Sequence, residues 1–157
     1  MIHSIHKKML FSLERMNMAI YVCVFVALKV SLTYLSNLIN VNATGQPITK
    51  GFFDFGNIYV AFFSIVILAP LLETYLVQYL FFKNLTGRLP QWAIIVLSAL
   101  VFGVLHHYNI GYVLYAFLSG LLLSISYSLR LRSNPFVCTA LIHSVYNLVG
   151  FVINNGI

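Results

Sequence analysis

The sequence predicts an all-α fold, a polytopic transmembrane helix bundle with about five spans. Three observations predict it: apolar runs of membrane length, a near absence of charge, and basic residues confined to alternate loops. Of 157 residues, 61% are apolar and 8% charged. A water-facing surface needs roughly a quarter of its residues charged, so the solvent implied for this chain is lipid. The formal charge of +6 is spaced between apolar runs and gathers into no groove. That spacing follows membrane topology and argues against nucleic acid as a partner.

A spanning helix takes about 20 mostly apolar residues. The first candidate covers residues 18–39 and is interrupted by Lys29. It is too long for the core of a signal peptide, and no small-x-small cleavage site follows, so it reads as a retained span. Residues 40–51, with Asn40, Asn42, Gly45, Pro47 and Gly51, read as a loop. The second span is 56–82 and contains Pro70 and Glu73; the third is 91–107, beginning after Pro90 and ending at His106-His107. The fourth is 111–129, with Ala116, Gly120, Ser124 and Ser128 at four-residue spacing, a flat face that permits close helix approach. The fifth is 135–153, opened by Pro135, whose missing N–H costs a first turn nothing.

Lys7, Lys8 and Arg15 precede span one, Lys83 and Arg88 separate spans two and three, and Arg130 and Arg132 separate four and five. The alternate loops hold only Lys50. The excess of positive charge on one side puts the N-terminus in the cytoplasm and the C-terminus outside. Residues 1–157 read as a single membrane domain. Within it, residues 1–16 carry Ile2, Ile5, Met9, Leu13 and Met16 at helical spacing, a pattern that fits an interfacial helix and a basic leader equally. Cys23 and Cys138 lie in apolar runs without partners at metal or disulfide spacing, and read as small buried hydrophobes.

Ionisable groups at bilayer depth are functional candidates by default. Lys29, Glu73, His106 and His143 sit inside spans, whereas Glu14 and Asp54 fall at ends and face water. Lys29 has a stem flexible enough to reach toward the interface. Phe102 lies one turn before His106, and Asn147 one turn after His143 on the same side of span five. A carboxylate and a neutral imidazole can deprotonate a shared water, and a second His with an Asn amide can donate to the oxyanion that forms. The same Glu and two His also suit zinc with one position open. H-E-x-x-H, G-x-S-x-G and G-x-G-D are all missing. Two other classes stay open: a non-catalytic membrane immunity or scaffold protein, and a proton relay using Glu73 and the histidines.

Ala69-Pro70-Leu71-Leu72-Glu73-Thr74, then Phe102-x-x-x-His106, then His143-x-x-x-Asn147 resembles the CPBP family of intramembrane proteases. That family includes the CAAX prenyl endoproteases and many bacterial relatives, some linked with bacteriocin self-immunity. The resemblance spans residues 65–152 as a catalytic core. It implies an endopeptidase acting on a membrane-embedded or lipidated peptide in a membrane, a bacterial cell membrane by the company it keeps. It implies Glu73 and His106 as the water-activating pair and His143 and Asn147 as transition-state stabilisers, with no required cofactor and zinc as the alternative. Phe102, Thr74 and Gln78 fall at supporting or substrate-binding positions. Thr74 and Gln78 depart from the family's E-E-x-x-x-R, standing where its second Glu and its Arg are expected. Four apart on one helix, they are expected to replace an ion pair with a hydrogen bond. Counted from the cytoplasmic ends, Glu73 and His143 come about 14–15 Å deep and His106 about 22 Å, a mismatch the fold has to remove.

Overall fold

The computed structural model describes residues 16–48 and 56–156. Residues 1–15, with the basic N-terminal segment, together with Lys50 and Asp54, lie outside the described residues. Helix α1 (Met18–Thr44) starts where the Asn17 side chain accepts from the Ala19 N–H, satisfying one orphan donor of the first turn. It stops at Gly45, whose φ of 71° suits glycine, and the Gly45 N–H closes onto the Val41 carbonyl. The helix thus runs through Asn40 and Asn42, which the sequence placed in a loop. The reason is local bonding: Asn40 Nδ2 donates to the Gln46 carbonyl at 2.7 Å, and Asn37 Oδ1 accepts from the Ile48 N–H at 2.9 Å. These amides fold the following chain back onto the helix end.

Helix α2 (Ile58–Leu85) begins at Asn57, whose side chain accepts from the Tyr59 and Val60 N–H groups. It is not a uniform α-helix. The stretches Phe63–Leu68 and Thr74–Tyr79 are wound as π-helix, on either side of an α-helical Ala69–Glu73. After a short turn, α3 (Gln91–Leu105) follows Pro90. Helix α4 (Ile110–Leu129) is capped by Asn109, whose side chain accepts from the Tyr112 N–H. Helix α5 (Pro135–Asn155) follows Asn134, which takes a left-handed φ of 54° to turn the chain, with proline in the first helical turn.

Four of these helices are long and apolar enough to cross a membrane; α3, at 15 residues, is shorter. Its rise of about 22 Å falls short of a hydrocarbon core of about 30 Å. The third span expected over 91–107 therefore ends two residues early. The His106 N–H closes onto the Gly103 carbonyl three residues back, and Asn109 already caps the next helix.

Tyr21 and Phe25 of α1, Val77 of α2, Phe102 of α3, Ala116 and Leu123 of α4 and Ile142 of α5 form one buried cluster, so all five helices converge. The outside is apolar too, with Leu28, Leu72, Leu100 and Leu114 exposed. The inside is where the polar groups are: Lys29, Thr74, Gln78, Ser98, Ser119, Ser124 and His143 are buried. An apolar outside with polar groups within is the arrangement lipid favours, since polar groups cost most where nothing can bond them. Tyr59 and Trp92, at the starts of α2 and α3, are exposed, as aromatic anchors at the two interfaces would be.

The small-residue face expected on α4 is used for packing. A Cβ at Gly120 would lie 2.9 Å from the Phe102 Cβ and 3.1 Å from the Ala99 Cα. On the facing helix, a Cβ at Gly103 would lie 3.0 Å from the Phe117 Cβ. Helices α3 and α4 thus touch backbone to backbone. Ser98 ties three helices, donating to the Val77 carbonyl at 3.0 Å and pairing with Ser124 at 2.8 Å. Of the cysteines, Cys138 is buried as expected, but Cys23 is exposed on the outer face of α1, where its weakly polar thiol tolerates lipid.

Candidate active site

Glu73 is the last residue of the α-helical stretch between the two π segments of α2. π-helical turns hold an extra residue and leave backbone groups off the regular ladder, and they recur at functional sites. The Ala69 N–H donates to the Ser64 carbonyl, five residues back. Continued one residue, this register would pair residue 70 with the Ile65 carbonyl, but Pro70 has no N–H to give. Asn147 of α5 supplies the missing donor, with Nδ2 2.8 Å from the Ile65 carbonyl. Asn147 therefore clamps α5 to α2 beside Glu73, and its second amide proton is left for other use. Asn147→Ala should destabilise the fold by about 1–3 kcal/mol, the cost of stranding a partly buried carbonyl where lipid offers no other donor. Thermal unfolding in detergent checks this, and an unchanged midpoint would show that the clamp carries no weight.

The three candidate residues from three helices meet. Glu73 Oε2 lies 3.9 Å from His106 Nε2 and 3.7 Å from His143 Nε2. The depth mismatch expected for His106 disappears because its ring folds back: Nδ1 reaches the Phe102 carbonyl at 2.7 Å, one turn nearer the start of α3. A carbonyl only accepts, so Nδ1 is the donor, and in the neutral ring Nε2 is then the bare acceptor. His106 Nε2 and the Glu73 carboxylate are thus two acceptors facing each other across a gap too long for a direct hydrogen bond. Phe102 is buried behind the site, its ring 4.5 Å from that of His106 and 5.7 Å from that of His143. It fixes the planes of both imidazoles by packing. His107 is exposed and turned to the Val104 carbonyl, away from this group.

Glu73 Oε2 and His143 Nδ1 are buried without a hydrogen-bond partner. Thr74 Oγ1 and both amide atoms of Gln78 share that condition, and both residues are fully buried. The Thr74–Gln78 hydrogen bond expected from their spacing is not formed. Both residues belong to the π segment Thr74–Tyr79, where the wider winding shifts the i, i+4 neighbours of an α-helix out of register.

Lys29 does not reach for the interface as its stem allows. It is 1% exposed, its Nζ donates to Ser119 Oγ at 2.7 Å, and it lies 4.5 Å from the centre of the Tyr146 ring. Beside it, Thr33 Oγ1 meets the Tyr115 and Tyr146 hydroxyls at 3.0 and 2.7 Å, and those two hydroxyls bond each other. This inner group was not read from the sequence. The signal for it is the spacing Tyr21, Phe25, Lys29, Thr33, a single four-residue stripe on α1.

Zinc held by one Glu and two His needs ligand atoms about 2.0–2.2 Å from the ion. Among the described residues no group of three His, Cys, Asp or Glu side chains is arranged to hold a metal. Bonds of that length set neighbouring donors of a tetrahedral shell roughly 3.4 Å apart, and the Glu73–His separations are 3.7 and 3.9 Å.

A family model described as type II CAAX prenyl endopeptidase, Rce1-like, matches residues 55–149, more than half of the chain. The chain belongs to this family. No curated protein and no solved structure matches it. The match to the Rce1-like family runs through α2, α3, α4 and most of α5, and so contains Glu73, His106, His143 and Asn147; helix α1 lies before it. With four helices of membrane length and composition, this member of an endopeptidase family is an integral membrane protein.

Proposed function

We propose that the chain is an intramembrane endopeptidase that hydrolyses a peptide bond of a membrane-embedded or lipidated substrate. The observation that carries this reading is the pair of facing acceptors, Glu73 Oε2 and His106 Nε2, 3.9 Å apart. A water between them donates one proton to each and keeps a lone pair for a carbonyl carbon. As the C–O bond forms, one water proton passes to Glu73. The carbonyl oxygen takes up negative charge, met by an N–H of His143 and by the second amide proton of Asn147. The C–N bond then breaks, and the departing amine takes the proton that Glu73 received. Residues 65–152 form the catalytic core in this reading, with Phe102 as the wall behind both imidazoles. Thr74 and Gln78, buried with free hydrogen-bonding capacity, offer partners to the substrate backbone or to water. The N-terminus is cytoplasmic, in a bacterial cell membrane, and the substrate is a prenylated or otherwise lipid-anchored chain.

The test uses the purified protein in lipid vesicles with a prenylated CAAX peptide and its unprenylated twin, read by mass spectrometry. A new carboxyl terminus, formed faster on the prenylated peptide, is the expected result. If neither peptide is cut, and membranes with and without the protein yield the same peptide termini, the peptidase reading is wrong. Cleavage should continue within about twofold after treatment with a zinc chelator, since the water is activated by side chains. Loss of cleavage on chelation, restored by zinc, would assign Glu73 and the histidines to a metal instead.

A further inference from the structure

Helix α1 lies before the segment matched to the family, yet it sends one charged group into the bundle. Tyr21, Phe25 and Lys29 are buried at four-residue spacing, so the helix turns Lys29 inward with its core stripe. The neighbours that hold the ammonium are neutral, Ser119 Oγ from α4 and the face of Tyr146 from α5. A buried cation requires a countercharge, and among the described residues Glu73 is the sole carboxylate side chain. The ion-pair contacts of Glu73 among those residues are to His106 and His143. Lys29 therefore stands behind the site, not in it. Tyr146, over whose ring the ammonium sits, lies three residues after His143 on the same side of α5, and His143 Nε2 is 3.7 Å from Glu73 Oε2, so the charge stands one layer behind the site.

We propose that Lys29 is a positioning residue for the reaction, the fixed countercharge, clamped by Ser119 and Tyr146, that holds Glu73 as a carboxylate ready to take a proton. This rests on the peptidase reading for its catalytic part, while the charge pairing is independent of that reading. With both groups charged the buried site is neutral overall; with either removed the other is a lone charge in a medium that solvates it poorly. The clamp keeps the ammonium from collapsing onto the carboxylate, which would otherwise occupy the oxygen that must receive the water proton.

The experiment is a double-substitution cycle of Lys29→Met, close in length but uncharged, and Glu73→Gln. In detergent, each single variant should lower the unfolding midpoint by about 5 °C or more, and the double variant should return most of that loss. Lys29→Met should also lower kcat by roughly 10-fold or more with KM within about twofold, because the substrate does not touch it. If Lys29→Met alone does not fold, the double variant should fold. Additive midpoint losses, a double variant that fails to fold, or wild-type kcat in Lys29→Met would each overturn the proposal. If the wild-type protein cleaves no peptide, the peptidase reading fails while the midpoint cycle still decides the pairing.

Discussion

Replacing Glu73 with glutamine should lower peptide hydrolysis by roughly 10²- to 10⁴-fold, the span that general acid–base groups contribute. The amide matches the carboxylate in shape but has no basic oxygen of comparable strength, and its NH₂ can donate to His106 Nε2, taking the place of the water. The variant should still insert and keep its helical content below its lowered unfolding midpoint, because the amide fits where the carboxylate stood and Oε2 makes no hydrogen bond to be lost. Initial rates on the peptide, measured at equal membrane levels of wild type and variant, check this. Retention of more than about a tenth of the rate would remove Glu73 from the role of base. An immunity or scaffold function would keep its phenotype in the variant, and a proton relay would lose ion flux without any new peptide ends.

The second large effect is expected far from any titratable group. Gly120→Val should cost about 1–3 kcal/mol of stability and most of the hydrolysis, as overpacking does in a closely fitted interior. The first added carbon meets the Phe102 Cβ at 2.9 Å and the Ala99 backbone at 3.1 Å. Helix α3 has to move away, and it carries Phe102 and His106 with it, widening the gap to Glu73. Gly150, on α5, has open space where a Cβ would go. Gly150→Val should therefore change stability by no more than about 0.5 kcal/mol. Thermal midpoints and rates of the two valine variants, taken together, separate a packing effect from a general intolerance of valine. Equal losses at both positions would refute the close α3/α4 contact as the cause.

The helices themselves were legible in the sequence because their signals are local. Apolar runs of membrane length, and Pro90 and Pro135 where the third and fifth helices start, act within a few residues of where they stand. The residues that meet at the site were legible for a different reason: charge is so scarce in this chain that Glu73, His106 and His143 stand out at depth. The family resemblance supplied their order, and the match over residues 55–149 bears the family out.

Other features had no local signal. The sequence by itself determined an all-α membrane chain with a glutamate and two histidines on three helices. Only the tertiary structure decided that α3 stops at Leu105, that the His106 ring folds back level with Glu73, and that Asn147 bonds the Ile65 carbonyl. It also decided that Lys29 turns inward to Ser119 and that Thr74 and Gln78 do not bond each other. Periodicity records which side of a helix faces the bundle. It does not record where the winding changes from α to π, nor which buried donor finds which acceptor on another helix. Those outcomes depend on contacts between residues 90 or more positions apart, as with Lys29 and Ser119 or Thr33 and Tyr146, and they are settled only when the helices pack.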